Sequence, residues 1–177
     1  MTNSSNSQQG STLIGSTQWD SSWPELSGEG DRDYLFGYLE ERFGIPQSLF
    51  DNYLLFRKGK NWWLFCRTPL IERTAQLKVW RVGLKAFQGV GRFIKPTTRM
   101  IQLFGYTAKR ALIHLTERDL ERLINGEPIR VKTELSNGYV ILSFKKEILG
   151  LGLFIDGRVI SQIPKKDMRL VSRGFSF

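Results

Sequence analysis

Polar and apolar positions divide the chain into three stretches. Residues 1–28 are dominated by Ser, Thr, Asn, Gln and Gly, with Trp19, Trp23 and Leu26 as isolated apolar groups. So little apolar surface cannot offset the entropy of ordering, so this stretch reads as a disordered tail whose Trp and Leu side chains dock on the body. From 31 to about 42, Tyr34, Leu35, Tyr38 and Leu39 make one stripe at helical spacing. Gly44 stops that helix, and Pro46 opens a short helical turn through Phe50. Two apolar runs, 53–57 and 62–67, flank Lys58-Gly59-Lys60-Asn61 and predict a hairpin with Gly59 at positive φ. Trp62 and Trp63 must then point to opposite faces of one strand. One of them needs cover, for which a contact between the two halves of the chain is the expected source.

The second half changes pattern. Leu77, Val79, Arg81 and Gly83 alternate with Lys78, Trp80, Val82 and Leu84, which predicts a strand followed by a glycine-containing loop over 88–92. Lys95-Pro96-Thr97-Thr98 looks like a helix start, with Met100, Ile101, Leu103 and Phe104 as its apolar face and Gly105 as its stop. A short strand over 111–115 leads into a second helix, with Thr116 as N-cap and Asp119 at its third position. Strands follow over 128–133, 138–144, 149–155 and 159–163, with hairpin turns expected at Asn137-Gly138 and Asp156-Gly157. The predicted class is α+β. An α/β module over 29–75 precedes a curled sheet or pseudobarrel with two helices over 76–172, and 173–177 form a tail.

Charge sharpens this division. Of 26 Lys and Arg against 17 Asp and Glu, the tail contributes −2, residues 29–73 contribute zero and residues 74–177 contribute +11, giving the net +9. A basic block of this kind attracts phosphate backbones by Coulomb force and counterion release. Lys85, Arg92, Lys95, Thr97, Thr98 and Arg99 gather cations and hydroxyls around the predicted loop and helix start, the groups that phosphate contact requires. Phe87 and Phe93 are the nearby aromatic platforms for an unpaired base, although Phe93 also fits a core position.

Catalytic and metal chemistry find few residues. One Cys and one His exclude an internal disulfide, a Cys-rich zinc site and a multi-His centre. Cys66 sits in an apolar strand and reads as an inert core thiol, and His114 as a structural or surface histidine. Gly89-Val90-Gly91 lacks the third glycine and the following acid of a dinucleotide loop. Neither catalytic residues nor a cofactor are expected. With no apolar run of membrane-spanning length and no basic residue before Arg32, the expected setting is the cytoplasm.

Several short motifs, in order, resemble the PUA domain found at the C-terminus of RsmF-type rRNA cytosine methyltransferases. They are Trp80-Arg81-Val82-Gly83-Leu84, Arg92-Phe93-Ile94-Lys95-Pro96-Thr97, His114-Leu115-Thr116 and Leu123-Ile124-Asn125-Gly126-Glu127. Gly138-Tyr139-Val140-Ile141-Leu142, Leu149-Gly150-Leu151-Gly152 and Ile163-Pro164-Lys165 complete the set. Residues 31–70, with Phe43-Gly44-Ile45-Pro46 and Phe50-Asp51-Asn52-Tyr53, resemble the pre-PUA module that precedes PUA domains in two-domain ribosome-biogenesis factors.

The resemblance implies a PUA-type pseudobarrel that holds RNA between the loop–helix region and the final strand. It adds Arg81, Lys165, Lys166 and Arg169 to the expected RNA-binding residues, with Arg173 in the tail. The enzymes of that family carry a cofactor-binding Rossmann domain and paired catalytic cysteines, whereas Cys66 is the single cysteine here. The implied function is therefore non-catalytic binding of structured rRNA or tRNA, in ribosome biogenesis or RNA modification; a monomer is expected because neither module shows a surplus apolar stripe. The alternative is an adaptor that docks on a separate methyltransferase. The implied partners are RNA and, beyond it, a ribosome precursor or an RNA-modifying enzyme.

Overall fold

A computed structural model describes residues 20–79 and 82–168, which are built around two five-stranded sheets. In the first sheet, β1 (Glu25–Leu26), β2 (Tyr53–Lys58), β3 (Asn61–Cys66), β4 (Leu84–Val90) and β5 (Phe93–Pro96) follow one another as an antiparallel meander. The second sheet comprises β6 (Leu112–His114), β7 (Ile129–Arg130), β8 (Gly138–Phe144), β9 (Glu147–Ile155) and β10 (Arg158–Ser161), in the spatial order β6-β8-β9-β10-β7. Only the β6–β8 pair is parallel. Three helices, α1 (Glu29–Phe43), α2 (Thr98–Phe104) and α3 (Glu117–Ile124), with a short helical segment over 165–168, complete an α+β architecture of the expected class.

α1 ends where expected. Gly44 adopts φ 68° and its N–H closes the helix on the Glu40 carbonyl at 2.9 Å. Its buried face is Leu35, Phe36, Leu39 and Phe43, one residue round from the predicted stripe, and Tyr34 is exposed. The cause is Phe36, which stacks on Phe50 with ring centroids 4.5 Å apart. The β2–β3 hairpin also forms as predicted, with Gly59 at φ 58° and Lys58 paired with Asn61. Trp62 and Trp63 do point to opposite faces. Trp62 is covered by α1, where its indole N–H donates to Asp31 Oδ2 at 2.9 Å, and by the second half of the chain, whose Phe87 is its cross-strand partner in the main core.

Residues 20–28 belong to the body, unlike the tail expected for them. β1 pairs with β2, and Trp23 is 8% exposed, with its indole N–H donating to the Leu77 carbonyl at 2.9 Å. Trp23 joins Leu54, Phe56, Ile71 and Val82 in a small apolar cluster on one side of the first sheet. The remainder of the predicted tail, 1–19, lies outside the described residues, as does 169–177.

The strand predicted over 77–84 is displaced to β4, which also absorbs part of the predicted loop. Gly83 is the reason: at φ 57° it breaks any extended run through it, and the strand starts at the next residue. The loop contracts to a turn at Gly91-Arg92 between β4 and β5. Asn137-Gly138 makes no hairpin, because Gly138 opens β8 beneath the Arg42 guanidinium. The β8–β9 turn is instead Lys145-Lys146, at φ 46° and 71°. Each left-handed non-glycine residue costs about 1 kcal/mol. Lys146→Gly is therefore expected to raise stability by about 1 kcal/mol, read as an increased urea midpoint at unchanged slope.

The main core joins both sheets and all three helices, with Leu39, Phe43, Phe87, Met100, Ile141 and Leu151 among its buried members. Pairing and packing run across the position where two modules were expected to meet. Leu64 pairs with Leu84 inside the first sheet, and the N–H groups of Lys109 and Arg110 both donate to the Phe43 carbonyl. Arg42 reaches from α1 to the Tyr139 carbonyl at 2.8 Å and to Ser136. No helix among the described residues is long and apolar enough to cross a membrane.

Candidate nucleic-acid interface

α2 begins at a local cap. The Thr97 hydroxyl accepts from the Met100 N–H at 3.2 Å and donates to the Lys85 carbonyl at 2.6 Å, tying the helix start to β4. Thr97→Ala removes both bonds and is expected to cost about 1 kcal/mol, seen as a lower melting temperature.

This junction meets the end of the chain. Lys95 Nζ donates to Gln162 Oε1 at 2.9 Å across 67 residues of sequence. The Thr98 methyl and the Ile163 side chain both close on Gly150, where an added Cβ would lie 2.8 and 2.9 Å from them. Beyond Ile163, residues 165–168 turn into a helix that carries Lys165 and Lys166 on its exposed side. The fold thereby brings Lys95 and Thr98, in the first basic stretch expected to contact RNA, beside Gln162 and Ile163, which lead into the second.

Individual side chains play different parts in it. Arg99 is exposed, its only described partner being Gln102 Oε1 at 3.0 Å. Lys85 is half-buried at the mouth of a cleft. Lys95 is half-buried beside the Tyr139 ring, and burial lowers the pKa of its ammonium and raises that of the Tyr139 hydroxyl. Lys95 is thus partly a structural link. Arg92 sits at the tip of the β4–β5 hairpin with its guanidinium 6.0 Å from the Phe93 ring.

Four expectations are corrected. Thr98 is 8% exposed, packed against Gly150, so it offers no hydroxyl to a ligand. Phe87 is fully buried in the main core, paired with Trp62 across the sheet, and cannot serve as a platform. Phe93 is 65% exposed rather than part of the core, because it faces outward at the hairpin tip. Cys66 is exposed at the end of β3, not buried within it. Arg81 and Arg169, with Arg173, lie outside the described residues. His114 is exposed, with Nδ1 2.8 Å from the buried Ser143 hydroxyl.

The cleft itself carries no motif signature in the local sequence pattern. It has a volume of about 510 Å3 and lies between β3, Val79 with residues 82–85, and the start of α2. Lys58 and Trp63 from the β2–β3 hairpin line it together with Lys85 and Arg99. The hairpin lies in the electrically neutral part of the chain, so charge does not mark it. The adjacent pair Trp62-Trp63 was the available signal, since one of the two had to face away from α1.

Among the described residues no group of His, Cys, Asp and Glu could hold a metal ion. What the surface offers is cations, an exposed aromatic hairpin tip and a cleft with a tryptophan wall, which together suit a polyanion carrying flat apolar groups.

The curled second sheet, packed against α2 and α3 and continued by the basic 162–168 segment, has the form of a PUA-type pseudobarrel. Residues 110–167 match the family model for the methyltransferase RsmF PUA domain, which bears out the resemblance read from the sequence over that segment. The chain is 25% identical over 140 residues to ribosomal RNA small subunit methyltransferase F of Psychromonas ingrahamii, covering 76% of this chain and 28% of that protein. A second such methyltransferase, from Aeromonas hydrophila subsp. hydrophila, is 24% identical over 132 residues, covering 74% of this chain and 26% of the relative. Both alignments are far longer than the segment 110–167, so the likeness reaches back into the first sheet. The chain spans about a quarter of the length of these relatives.

Proposed function

We propose that this protein binds structured RNA through the composite basic face formed by Lys85, Lys95, Arg99, Lys165 and Lys166, without catalysing a reaction on it. One observation carries the reading: the fold brings two cationic segments together through the Lys95–Gln162 bond. A scattered excess of charge would serve solubility, whereas a joined surface serves one ligand. The PUA match supports RNA as that ligand, and the relatives are named as ribosomal RNA methyltransferases, which puts rRNA ahead of tRNA. Duplex RNA would be held through phosphates and 2′-hydroxyls along its shallow minor groove. The accompanying setting is cytoplasmic ribosome biogenesis or rRNA modification.

The test is fluorescence-anisotropy titration of the full chain with a labelled small-subunit rRNA hairpin at several salt concentrations. Affinity that falls steeply with salt supports the reading. Absence of RNA affinity, with co-purification of a separate methyltransferase, overturns it in favour of an adaptor.

A further inference from the structure

We propose that the cleft beside β3 takes one unpaired RNA nucleotide, its base laid on Trp63 and its phosphate held by Lys58, Lys85 and Arg99. The inference rests on the RNA-binding reading and narrows it, because it names an extruded nucleotide, not a continuous duplex, as the ligand of this site.

Size is the first argument. At about 510 Å3 the cleft falls inside the range of small-ligand sites, roughly 300–1,000 Å3. A nucleotide fits such a volume and a paired helix does not. A base inside a duplex is stacked on both sides and cannot present its face to a wall, so only an unpaired or flipped base can reach Trp63.

The chemistry of the lining is the second. Val79, Val82 and Leu84 give the cleft an apolar component, and Trp63 supplies a flat aromatic wall. Trp63 is half-buried, and its inner side rests on the small cluster around Phe56 and Val82, so the wall is supported from behind. Bases stack on such rings whatever their identity. The three described tryptophans also differ in their indole N–H groups. Those of Trp23 and Trp62 donate to Leu77 and Asp31, whereas that of Trp63 has no partner among the described residues and is free for a ligand.

Charge is the third. Three cations and no carboxylate are found among the described lining residues. Lys85 is the cross-strand partner of Trp63, and side chains so paired start about 5 Å apart. A base on the ring would therefore place its own phosphate near the Lys85 ammonium. Lys58 stands on the other side of Trp63, anchored loosely by Nζ to the Ser22 carbonyl at 3.4 Å. An apolar ligand would leave these cations unused, and inorganic phosphate would leave the ring unused. A nucleotide uses both.

The test compares three labelled RNA hairpins of one sequence: fully paired, with a single-uridine bulge, and with an abasic bulge. Each is titrated with the wild-type full chain and with Trp63→Ala and Trp63→Phe. The wild type is expected to bind the uridine bulge about ten-fold tighter than the paired hairpin, with the abasic bulge matching the paired one. Trp63→Ala should abolish that preference, bringing uridine-bulge and paired-hairpin affinities together, and Trp63→Phe should retain most of it. Equal wild-type affinity for bulged and paired hairpins, both weakening with salt, overturns this inference and leaves RNA binding standing. Equal loss on all three hairpins in Trp63→Ala also overturns it. Absence of salt-dependent binding to any hairpin overturns both readings.

Discussion

Replacing Gly83 by Ala is expected to destabilise the protein by about 3 kcal/mol or more. Two effects add. At φ 57° an L-residue is held in the left-handed region, which costs about 1 kcal/mol. The larger effect is steric: an added Cβ would lie 2.0 Å from the Leu64 carbonyl oxygen and 2.9 Å from its carbon. That neighbour is backbone inside β3, so relief requires β3 and β4 to part, with loss of ladder hydrogen bonds worth about 1 kcal/mol each. Gly91→Ala is the matched comparison. Gly91 has nearly the same φ, 60°, but nothing within 4 Å of an added Cβ. It should cost only the backbone strain, about 1 kcal/mol. Urea denaturation of the two variants separates the effects, and equal losses would show that the close approach of Gly83 to β3 carries no weight.

The second large effect concerns RNA. Substituting Lys85, Arg99, Lys165 and Lys166 together by Gln should lower affinity for a structured rRNA hairpin on the order of 100-fold at about 0.1 M salt. Lys95 is left intact because its bond to Gln162 joins the two halves of the surface, and removing it would confuse binding with structure. The four chosen residues have no ion pair among the described residues, and Arg99, Lys165 and Lys166 are exposed. Stability should therefore stay within about 0.5 kcal/mol of the parent. A control of equal charge neutralises Arg118 on α3, Arg130 in β7, Lys132 just after it and Arg158 on β10, all exposed. It should reduce affinity far less. Equal loss in both variants would mean that net charge, and not a placed surface, governs binding.

Local signals in the sequence served well wherever one residue type dictates the backbone. Gly44, Gly59, Asp156-Gly157 and the Thr116–Asp119 capping box all took the predicted conformations. They failed where tertiary contact decides. Nothing in the local pattern says that Gly83 is pinned against Leu64, so the β4 strand was placed seven residues early. Nor does Lys145-Lys146 advertise a turn that two lysines adopt only because β8 and β9 are paired on either side. The candidate site divides in the same way. Its cations were visible as charge, and the family resemblance pointed to 85–99 and 165–166 as the stretches to consider together. The fates of Thr98, Phe87 and Phe93 depended on which side of β4, β5 and α2 meets Gly150 and the core. The cleft at Trp63 needed β3 and β4 to be paired, a long-range fact that alternation within 53–67 does not contain.

The central claim is that RNA is held by phosphate contacts made by one composite face. The most direct measurement is the slope of log affinity against log salt for the same rRNA hairpin, in the wild type and the four-residue variant. Each phosphate contact removed should make the slope shallower by about one, so the variant is predicted to lose about three to four units of slope. A slope unchanged by the four substitutions would contradict the account, because the cations joined through Lys95 and Gln162 would then touch no phosphate.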